Sequence, residues 1–397
     1  MRLSDLNILG TNISPGIGND TGISDDIWGM LASAAQVVRN KRVLITGAGG
    51  WIGSALTRAL LGGLPEHLLL LDSAERNLYE IDSEICELGQ DVPHASVLGT
   101  VTDEDMLSDL FDRYRPQFVF HAAACKHVPL MEDNPLAVVL NNAIGTYTLA
   151  KVARQQAVEQ FVLLSTDKAA DPHSIMGASK RIAELVVLSW DAPGTQAKAL
   201  RLVNVLGSQG SVVPRFRHQI ATGSRITVTH PGAQRYFETL QSAVGLLLSL
   251  AVPGVASGLY IPRVDEPIRI IEIARWLIAE HSPAKDIEIV FTGLRPGDKL
   301  SETLLSTRES LEPTSPEHSG SYSDSNAGSV GARFFRVQSR CPSAGELAAT
   351  MQSLTIAIQH HRLEDVLQLV RRLVPEYCSD AIAERWSAKD DAASSQI

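Results

Sequence analysis

Short apolar runs recur along the chain from residue 42 and alternate with segments whose apolar residues have helical spacing. The runs are VLIT, LLLLD, ASVLG, FVFHAA and FVLLS, and the segments between them include SALTRALLGG, ERNLYEIDSEICEL and DEDMLSDLFDRY. Such alternation is typical of βαβ units, and runs that are apolar on both faces indicate strands covered by helices on each side. The pattern predicts an α/β fold, a Rossmann-type doubly wound parallel sheet with a smaller mixed C-terminal substrate lobe.

The same pattern divides the chain into five parts. Residues 1–40 form an N-terminal leader, 41–207 the dinucleotide-binding Rossmann domain, and 208–305 a substrate-binding lobe interleaved with it. Residues 306–332 are rich in Ser, Gly and Pro and are predicted to be a flexible loop. Residues 333–397 are predicted to be a C-terminal helical extension whose last residues, AKDDAASSQI, are disordered.

The uncharged stretch from Leu240 to Pro262 is the one segment that resembles a membrane span. Pro253, Gly254 and Gly258 interrupt it, which favours a buried helix, a turn and a short strand. We therefore expect no membrane insertion.

Composition limits the partners and the compartment. The chain has 397 residues, 44% hydrophobic and 20% charged, and a formal net charge of -10, which disfavours nucleic acid as a partner. The cysteines have neither paired nor metal-ligand spacing, so we expect free thiols and no metal site. The first residues, MRLSDLNILG, do not have the pattern of a signal peptide, and we expect a cytoplasmic protein.

A glycine-rich turn follows the first apolar run, in VLITGAGGWIGSAL. Gly47 permits a tight turn, Gly50 lets the backbone approach a pyrophosphate, and Gly53 lets the helix pack against the strand. Asp72 ends the next run, where a carboxylate bonds ribose hydroxyls and repels a 2′-phosphate, favouring NAD over NADP. Arg76, four residues after Asp72, could bind a 2′-phosphate, so NADP remains an alternative.

Four further segments carry a family resemblance: HAAACKHVPLMEDNP, STDKAADPHSIMGASKR, NVLGSQGSVVPRF and FTGLRPGDKLSE. With the glycine turn, they make the chain resemble the extended short-chain dehydrogenase/reductases, in particular the UDP-N-acetylglucosamine 4,6-dehydratases of polysaccharide biosynthesis. The resemblance runs from about Val43 to Leu305 and implies an NAD-dependent hydro-lyase that makes a UDP-4-keto-6-deoxy sugar.

The resemblance also implies catalytic roles in STDK and SIMGASK. A dehydratase oxidises C4 of the sugar, removes H5 with a base while an acid helps the C6 hydroxyl leave, and then reduces C6. By resemblance Asp167 is the acid, Lys168 the base, Thr166 binds the C4 oxygen and Lys180 holds the nicotinamide ribose. Lys168 must be neutral, and we expect desolvation, Lys180 and the NAD charge to lower its pKa.

Met176 stands four residues before Lys180, where the superfamily commonly has a tyrosine that moves a proton. Epimerases of this scaffold rely on that tyrosine and do not need the Asp-Lys pair. The alternatives nevertheless remain a nucleotide-sugar 4-epimerase or other oxidoreductase, and a non-catalytic NAD-binding regulatory protein. The acceptor of the C4 hydroxyl proton stays open between Lys180, reached through Thr166, and Asp167.

The remaining site residues are expectations from the resemblance. For the cofactor these are, besides the glycines, Asp72 and Lys180, Trp51, Ile52, Ser73, Val101, His121, Ala122, Ala123, Asn142 and Ser165. His121 is assigned to packing at the cofactor edge and not to catalysis. For a UDP-sugar they are Lys126, His127, Asn204, Val212, Arg215, Arg235, Arg295 and Glu302. The arginines are expected at the diphosphate and Glu302 at a ribose hydroxyl.

Four residues depart from the family pattern, namely Thr100, Val203, Glu238 and Gln241. Val203 adds bulk where glycine is usual, and Glu238 adds a charge near the expected substrate loop. They bear on the identity of the sugar more than on the class of reaction. We expect the protein to be a homo-oligomer.

Overall fold

The computed structural model describes residues 34–89, 92–190, 194–281, 287–312 and 333–378. Three sequence predictions fall outside these ranges: the leader before residue 34, the loop at 313–332 and the chain end after 378.

The first half alternates strands with helices, as its apolar runs predict. After a 3-10 turn at Ala35–Val38, its elements are β1 (Arg42–Thr46), α1 (Trp51–Leu61), β2 (His67–Asp72), α2 (Glu75–Leu88), β3 (His94–Leu98), α3 (Glu104–Tyr114), β4 (Phe118–His121), α4 (Val128–Glu132), α5 (Pro135–Val138), a π-helix (Val139–Ile144), α6 (Gly145–Gln155), β5 (Gln160–Thr166), a 3-10 turn (Asp167–Ala169), α7 (Ile175–Leu188) and β6 (Gln196–Leu202).

The second half mixes short strands with helices. Its elements are β7 (Asn204–Val205), α8 (Val212–Ala221), β8 (Ile226–Val228), β9 (Gln234–Arg235), β10 (Phe237–Glu238), α9 (Leu240–Leu250), β11 (Gly258–Pro262), β12 (Ile268–Arg269), α10 (Ile270–His281), β13 (Ile289–Phe291), β14 (Ser310–Leu311), β15 (Phe334–Gln338), α11 (Ala344–Gln359) and α12 (Leu363–Leu373).

A nine-stranded sheet organises the molecule in the order β14-β15-β11-β6-β5-β4-β1-β2-β3. The strands from β3 across to β11 are parallel, whereas β15 is antiparallel to β11 and to β14. β2 lies on one side of β1 and β4 lies on the other, so the strand order reverses at β1 and a crevice opens at the carboxyl ends of β1 and β4. This is the predicted Rossmann-type doubly wound sheet.

Two apolar layers cover the sheet. One face packs against α3, α6, α7 and the C-terminal α11 and α12, and the other against α1, α2 and α9. A third, smaller cluster holds α8 and α10 against β8 and β13 in the mixed lobe. Helices on both faces explain why the strands read as continuous apolar runs.

The sheet extends beyond the predicted end of the Rossmann domain at residue 207. β11 comes from the segment predicted as the substrate lobe, and β15 comes from the extension predicted as helical. β14 lies within the segment predicted as a flexible loop, and it pairs with β15. Each added strand gains its hydrogen bonds from a partner that is distant in sequence, which local periodicity does not report.

The uncharged stretch after Leu240 folds as α9, a turn and β11, as its glycines and proline predict. A different stretch, Pro135–Gln155, is long and apolar enough to cross a membrane. Within this stretch, 67% of the most apolar 18-residue segment is buried inside the fold.

Candidate active site

The glycine turn forms a tight cradle between β1 and α1. Gly47 has a φ of 69°, and a Cβ there would lie 2.7 Å from the Cα of Ala123 in the segment after β4. A Cβ on Gly53 would lie 2.0 Å from the Gly47 carbonyl oxygen. Only glycine fits either position, and the bare backbone is what a pyrophosphate approaches in a dinucleotide site.

The start of α1 is open to an anion. Gly50 is the N-cap and no side chain caps the first turn, which begins with Trp51 and Ile52. Helix N-termini with free amides favour negative charge.

Asp72 lies beside this cradle at the end of β2. Its carboxylate accepts hydrogen bonds from the Gly49 amide at 2.9 Å and the Ala74 amide at 2.9 Å. The arrangement fits the expected ribose carboxylate. Arg76 pairs with Glu80 and is 85% exposed, so its side chain is directed to solvent in this structure. Ser73, next to Asp72, is exposed.

His121 is fixed in the sheet at the crevice. Its Nδ1 lies 2.7 Å from the Thr46 hydroxyl and its Nε2 lies 2.8 Å from the Thr146 hydroxyl. Burial, with a smaller contribution from the nearby Lys180 charge, lowers the pKa of His121 to about 3. The imidazole is therefore neutral, which agrees with a packing role and argues against acid–base use.

Asn142 ties the crevice to α7. Its side-chain oxygen accepts from the Cys125 amide at 2.8 Å, and its side-chain nitrogen donates to Cys125 O and to the Ser179 hydroxyl, both at 3.0 Å. Asn142 lies in the π-helix and is fully buried. Asn142 therefore links Ser179, the residue before Lys180, to the segment after β4.

The other residues expected at the cofactor divide into two groups. Ala122 and Ala123 border the glycine cradle, with the Ala122 amide donating to Thr46 O. Val101 is buried against Gly145, and the Ser165 hydroxyl donates to Glu184 at 2.7 Å. The Val101 and Ser165 side chains thus have partners within the protein, so these residues would contact a cofactor through backbone atoms or side-chain carbon atoms.

The STDK segment turns sharply where β5 ends. Thr166 caps the 3-10 turn, and its hydroxyl donates to Asp167 Oδ1 at 2.9 Å. Lys168 Nζ lies 2.9 Å from the same Asp167 oxygen and 3.4 Å from Asn204 Oδ1. Asp167 is fully buried, whereas the Lys168 side chain is 20% exposed. The turn thus brings the neighbouring side chains together, as a shared role requires.

The structure corrects the expected charge state of Lys168. Burial does lower its pKa, but the carboxylates of Asp167 and Glu302 outweigh burial and raise the pKa above its usual value. The expectation of a lowered pKa was wrong because it counted burial and nearby positive charges and left out the carboxylates of Asp167, which has the larger effect, and Glu302. In this state Lys168 is an ammonium ion.

Lys180 has the opposite environment. It is buried in α7, and within the described ranges its ammonium group makes no hydrogen bond. Burial lowers its pKa to about 8 against the raising effect of Glu184. Met176, in the first turn of α7, is 2% exposed and packs in the apolar layer on that face of the sheet. Its thioether has no proton to donate.

Three of the expected substrate residues gather around Lys168. Asn204 donates to Asp167 Oδ2 at 3.4 Å and to Tyr236 O at 3.2 Å. Glu302 Oε1 lies 3.7 Å from Lys168 Nζ and 3.5 Å from Arg235 Nε. Arg235 also donates to the backbone oxygens of residues 234, 299 and 300, so it braces this segment.

The other expected substrate residues lie in more open positions. Arg295 is 49% exposed and pairs with Asp298, and Arg215 is exposed and donates to Thr227. Lys126 and His127 are exposed, and the His127 ring covers Gly210, two residues before Val212 at the start of α8.

The sequence profile of the polysaccharide biosynthesis protein family matches residues 43–322. The chain belongs to this family. The capsular polysaccharide biosynthesis protein CapD of Staphylococcus aureus is 39% identical over 283 residues, which are 70% of this chain and 47% of CapD. The chain therefore spans about half the length of that relative.

Two further similarities concern nucleotide sugars. A Campylobacter jejuni UDP-N-acetylglucosamine 4,6-dehydratase (inverting) is 30% identical over 68% of this chain and 79% of that protein. The structure of Thermus thermophilus UDP-glucose 4-epimerase in complex with NAD is similar with a TM-score of 0.55 and 25% identity, over 66% of this chain and 90% of that one. These similarities place this polysaccharide biosynthesis family chain in the extended short-chain dehydrogenase/reductase fold.

Sequence reasoning missed a buried ion-pair network below the site of this family member. Arg201 donates to Glu184 at 2.8 and 2.7 Å and to Glu309 at 2.6 and 2.9 Å, and all three side chains are at most 1% exposed. Arg181 pairs with Glu184 at 3.0 Å and with Glu376 at 3.3 Å. A signal existed, because a charged residue inside the apolar run of β6 requires a buried partner.

Lys299 is another residue that sequence reasoning missed. Its Nζ donates to Ala170 O at 2.7 Å, just after the STDK turn, and lies 3.8 Å from Glu302 Oε2. Lys299 thus connects the RPGDK loop to the turn.

One group of possible metal ligands occurs in the described ranges, away from the crevice. Asp82 and Cys86 on α2 and His94 at the start of β3 have ligand atoms within 4.8 Å of one another. Asp82 already accepts from Ser96 at 2.5 Å and lies 3.4 Å from His94.

Proposed function

We propose that the chain is a nucleotide-sugar 4,6-dehydratase that acts on UDP-N-acetylglucosamine or a close UDP-HexNAc for polysaccharide or glycan biosynthesis. The observation that carries the proposal is the Asp167–Lys168 pair at the carboxyl end of β5, where ligands of open α/β sheets bind; Asp167 is buried and Lys168 is partly exposed. An elimination needs one acid and one base within reach of adjacent carbons, and this pair supplies both.

NAD is the cofactor that the crevice fits. Gly47, Gly50 and Gly53 would accept the pyrophosphate at the start of α1, Asp72 the adenosine ribose, and Lys180 the nicotinamide ribose. NAD supplies the reversible hydride transfer to and from the sugar. The carboxylate of Asp72 favours NAD over NADP.

A single proton transfer makes the Asp167–Lys168 pair competent. Moving one proton from the Lys168 ammonium to Asp167 Oδ1, over 2.9 Å, leaves a neutral amine and a neutral carboxylic acid. The amine takes H5, and the acid protonates the departing C6 oxygen, which leaves as water. The ammonium and the carboxylate are then restored, and Lys168 gives its proton to C5 in the final step. The proton that the C4 hydroxyl loses during oxidation then returns to the Lys168 amine, which closes the cycle.

The substrate end is proposed from charge and position. Asn204 and Glu302 lie beside Lys168, so they border the sugar, and Thr166 is placed to bond the C4 oxygen. Arg295 and Arg215 are exposed cations that suit a diphosphate, and we propose Lys126, His127 and Val212 as further substrate residues.

A 4-epimerase is the second candidate because the NAD-bound Thermus epimerase shares the fold at 25% identity. Met176 argues against it, since its buried thioether cannot replace a tyrosine hydroxyl. A non-catalytic NAD-binding protein is a third candidate, and the retained Thr166, Asp167, Lys168 and Lys180 argue against it. A cytoplasmic homo-oligomer remains our expectation.

One incubation separates these candidates. The protein is mixed with UDP-N-acetylglucosamine in deuterated water and the sugar is followed by mass spectrometry. Loss of water with deuterium at C5 supports the dehydratase, an isobaric product supports an epimerase, and NAD binding without turnover of any UDP-HexNAc contradicts both. Lys168→Ala should abolish water loss while NAD still binds.

A further inference from the structure

Glu302 has one carboxylate oxygen without a hydrogen-bond partner. Its side chain is 3% exposed, and Oε2 is buried and makes no hydrogen bond within the described ranges. Oε1 lies 3.7 Å from Lys168 Nζ and 3.5 Å from Arg235 Nε, and Oε2 lies 3.8 Å from Lys299 Nζ. An incompletely bonded buried carboxylate is costly, so its position calls for an explanation beyond packing.

The charged groups around Lys168 explain why the Glu302 carboxylate is buried there. Asp167 and Glu302 face its ammonium group from two different segments, Arg235 opposes them, and Asn204 contributes a neutral oxygen at 3.4 Å. Lys299 lies on the far side of Glu302. Of the two carboxylates, only Asp167 is needed as a proton acceptor, so Glu302 remains a fixed negative charge beside the base.

We propose that Glu302 is a positioning residue that stabilises Lys168 as an ammonium ion and so sets how readily the neutral amine that serves as the base is formed. This inference rests on the proposed function for its catalytic meaning. It differs from a role as a ribose ligand, because its action is on Lys168 and not on the nucleotide. The direction of the Lys168 pKa, raised by Asp167 and Glu302 against burial, agrees with it.

The test measures the amine directly. Acetic anhydride reacts only with neutral amines, and the Lys168 side chain is 20% exposed and open to a small reagent. Labelling of Lys168 is followed by peptide mass spectrometry as a function of pH in the wild-type protein and in Glu302→Gln. Lys151, which pairs with Glu104, is the internal reference in the same digest.

Removing an opposite charge within a few ångströms should lower the midpoint of Lys168 labelling by about one to three pH units. The matched control, Glu272→Gln, removes a partly exposed carboxylate that pairs with Arg269 and should leave the midpoint unchanged. An unchanged midpoint in a Glu302→Gln protein with native circular dichroism overturns the inference. If that variant does not fold, Glu302→Asp is used, which keeps the charge, withdraws it from Lys168 and should lower the midpoint in part.

Turnover separates this inference from the proposed function. In a dehydrating enzyme, kcat should rise in Glu302→Gln because Lys168 then gives its proton to Asp167 more readily, whereas loss of a ribose ligand would chiefly raise KM. A shifted labelling midpoint without dehydration of any UDP-HexNAc would retain the inference and reject the proposed function. Dehydration of a UDP-HexNAc with an unchanged labelling midpoint in Glu302→Gln would support the proposed function and reject the inference about Glu302.

Discussion

Gly177 in α7 should be required for turnover more than for folding. A Cβ placed on Gly177 lies 2.3 Å from the Lys168 carbonyl oxygen and 3.1 Å from Pro172 Cβ. An ordinary carbon–oxygen contact is longer by about 1 Å, so Gly177→Ala must push the STDK turn away from α7 by about that distance.

The two consequences differ in size. Overpacking costs about 1–3 kcal/mol, but alanine recovers about 1 kcal/mol of helix propensity, so the net loss of stability is small. A displacement of about 1 Å at reacting groups reduces turnover about 100-fold. We therefore expect Gly177→Ala to melt within a few degrees of the wild type and to bind NAD equally, while kcat falls by about two orders of magnitude.

The assay is turnover of UDP-N-acetylglucosamine by mass spectrometry, together with thermal melting and an NAD titration. Gly345→Ala is the matched control, because a Cβ at that helical position meets nothing within 4 Å. It should leave kcat unchanged. Wild-type turnover by a folded Gly177→Ala protein would show that contact with the Lys168 carbonyl does not fix the catalytic turn.

Four further predictions test other parts of the structure. The pKa of His121 is about 3 in the folded protein against an ordinary 6.5, so between pH 7 and pH 5 His121 takes up a proton in the unfolded chain but not in the folded one. The wild type should therefore lose about 2 kcal/mol more stability over this pH range than His121→Gln, as measured by denaturant titration. Glu184→Gln removes the buried negative charge that pairs with Arg201 and Arg181 and should lower the free energy of unfolding in urea by about 3–5 kcal/mol. Glu272→Gln, which removes a partly exposed carboxylate, should lower it by less than about 1 kcal/mol. Asp72→Ala should weaken NAD binding at least about tenfold in a fluorescence titration, because a charged hydrogen-bond acceptor for the ribose is lost. If neutral Lys180 accepts a proton, the pH–rate profile should rise through about pH 8, and a profile that falls there would exclude Lys180 as the acceptor.

The parallel part of the sheet could be predicted from the sequence because each strand carries its own signal. β1, β2 and β5 are apolar on both faces and lie next to turns with Gly, Asp or Ser. β14 and β15 carry weaker signals, since β14 has two exposed residues, β15 is only partly buried, and both depend on antiparallel pairing with a remote segment. The periodicity of α11 and α12 predicted those helices, but it did not predict that they cover the same face as α7.

In the site, residues adjacent in sequence were easier to place than charges brought together by folding. The strand end at Thr166 and the need for a turn after it predicted that Asp167 and Lys168 would meet. The expected charge state of Lys168 was wrong because the carboxylates of Asp167 and Glu302 together outweigh burial, and no local pattern connects Lys168 with Glu302. Arg201 shows the limit most clearly, since its place in an apolar strand demands a partner, but only the fold identifies Glu184 and Glu309.

Met176 leaves the C4 hydroxyl proton with two possible acceptors, and the proton balance of the proposed chemistry discriminates between them. Thr166 donates to Asp167 Oδ1 at 2.9 Å, so Asp167 is the nearer acceptor by geometry. Asp167 can hold only one added proton, however, and it needs the proton of Lys168, which lies equally close at 2.9 Å, before the pair can eliminate water. Lys180 carries no such demand, and with a pKa of about 8 its amine exchanges a proton near neutral pH. Lys180 can therefore hold the C4 hydroxyl proton during oxidation and return it to the Lys168 amine at the end of the cycle. Asp167 and Lys168 then carry out the elimination, a division that does not require a tyrosine at position 176.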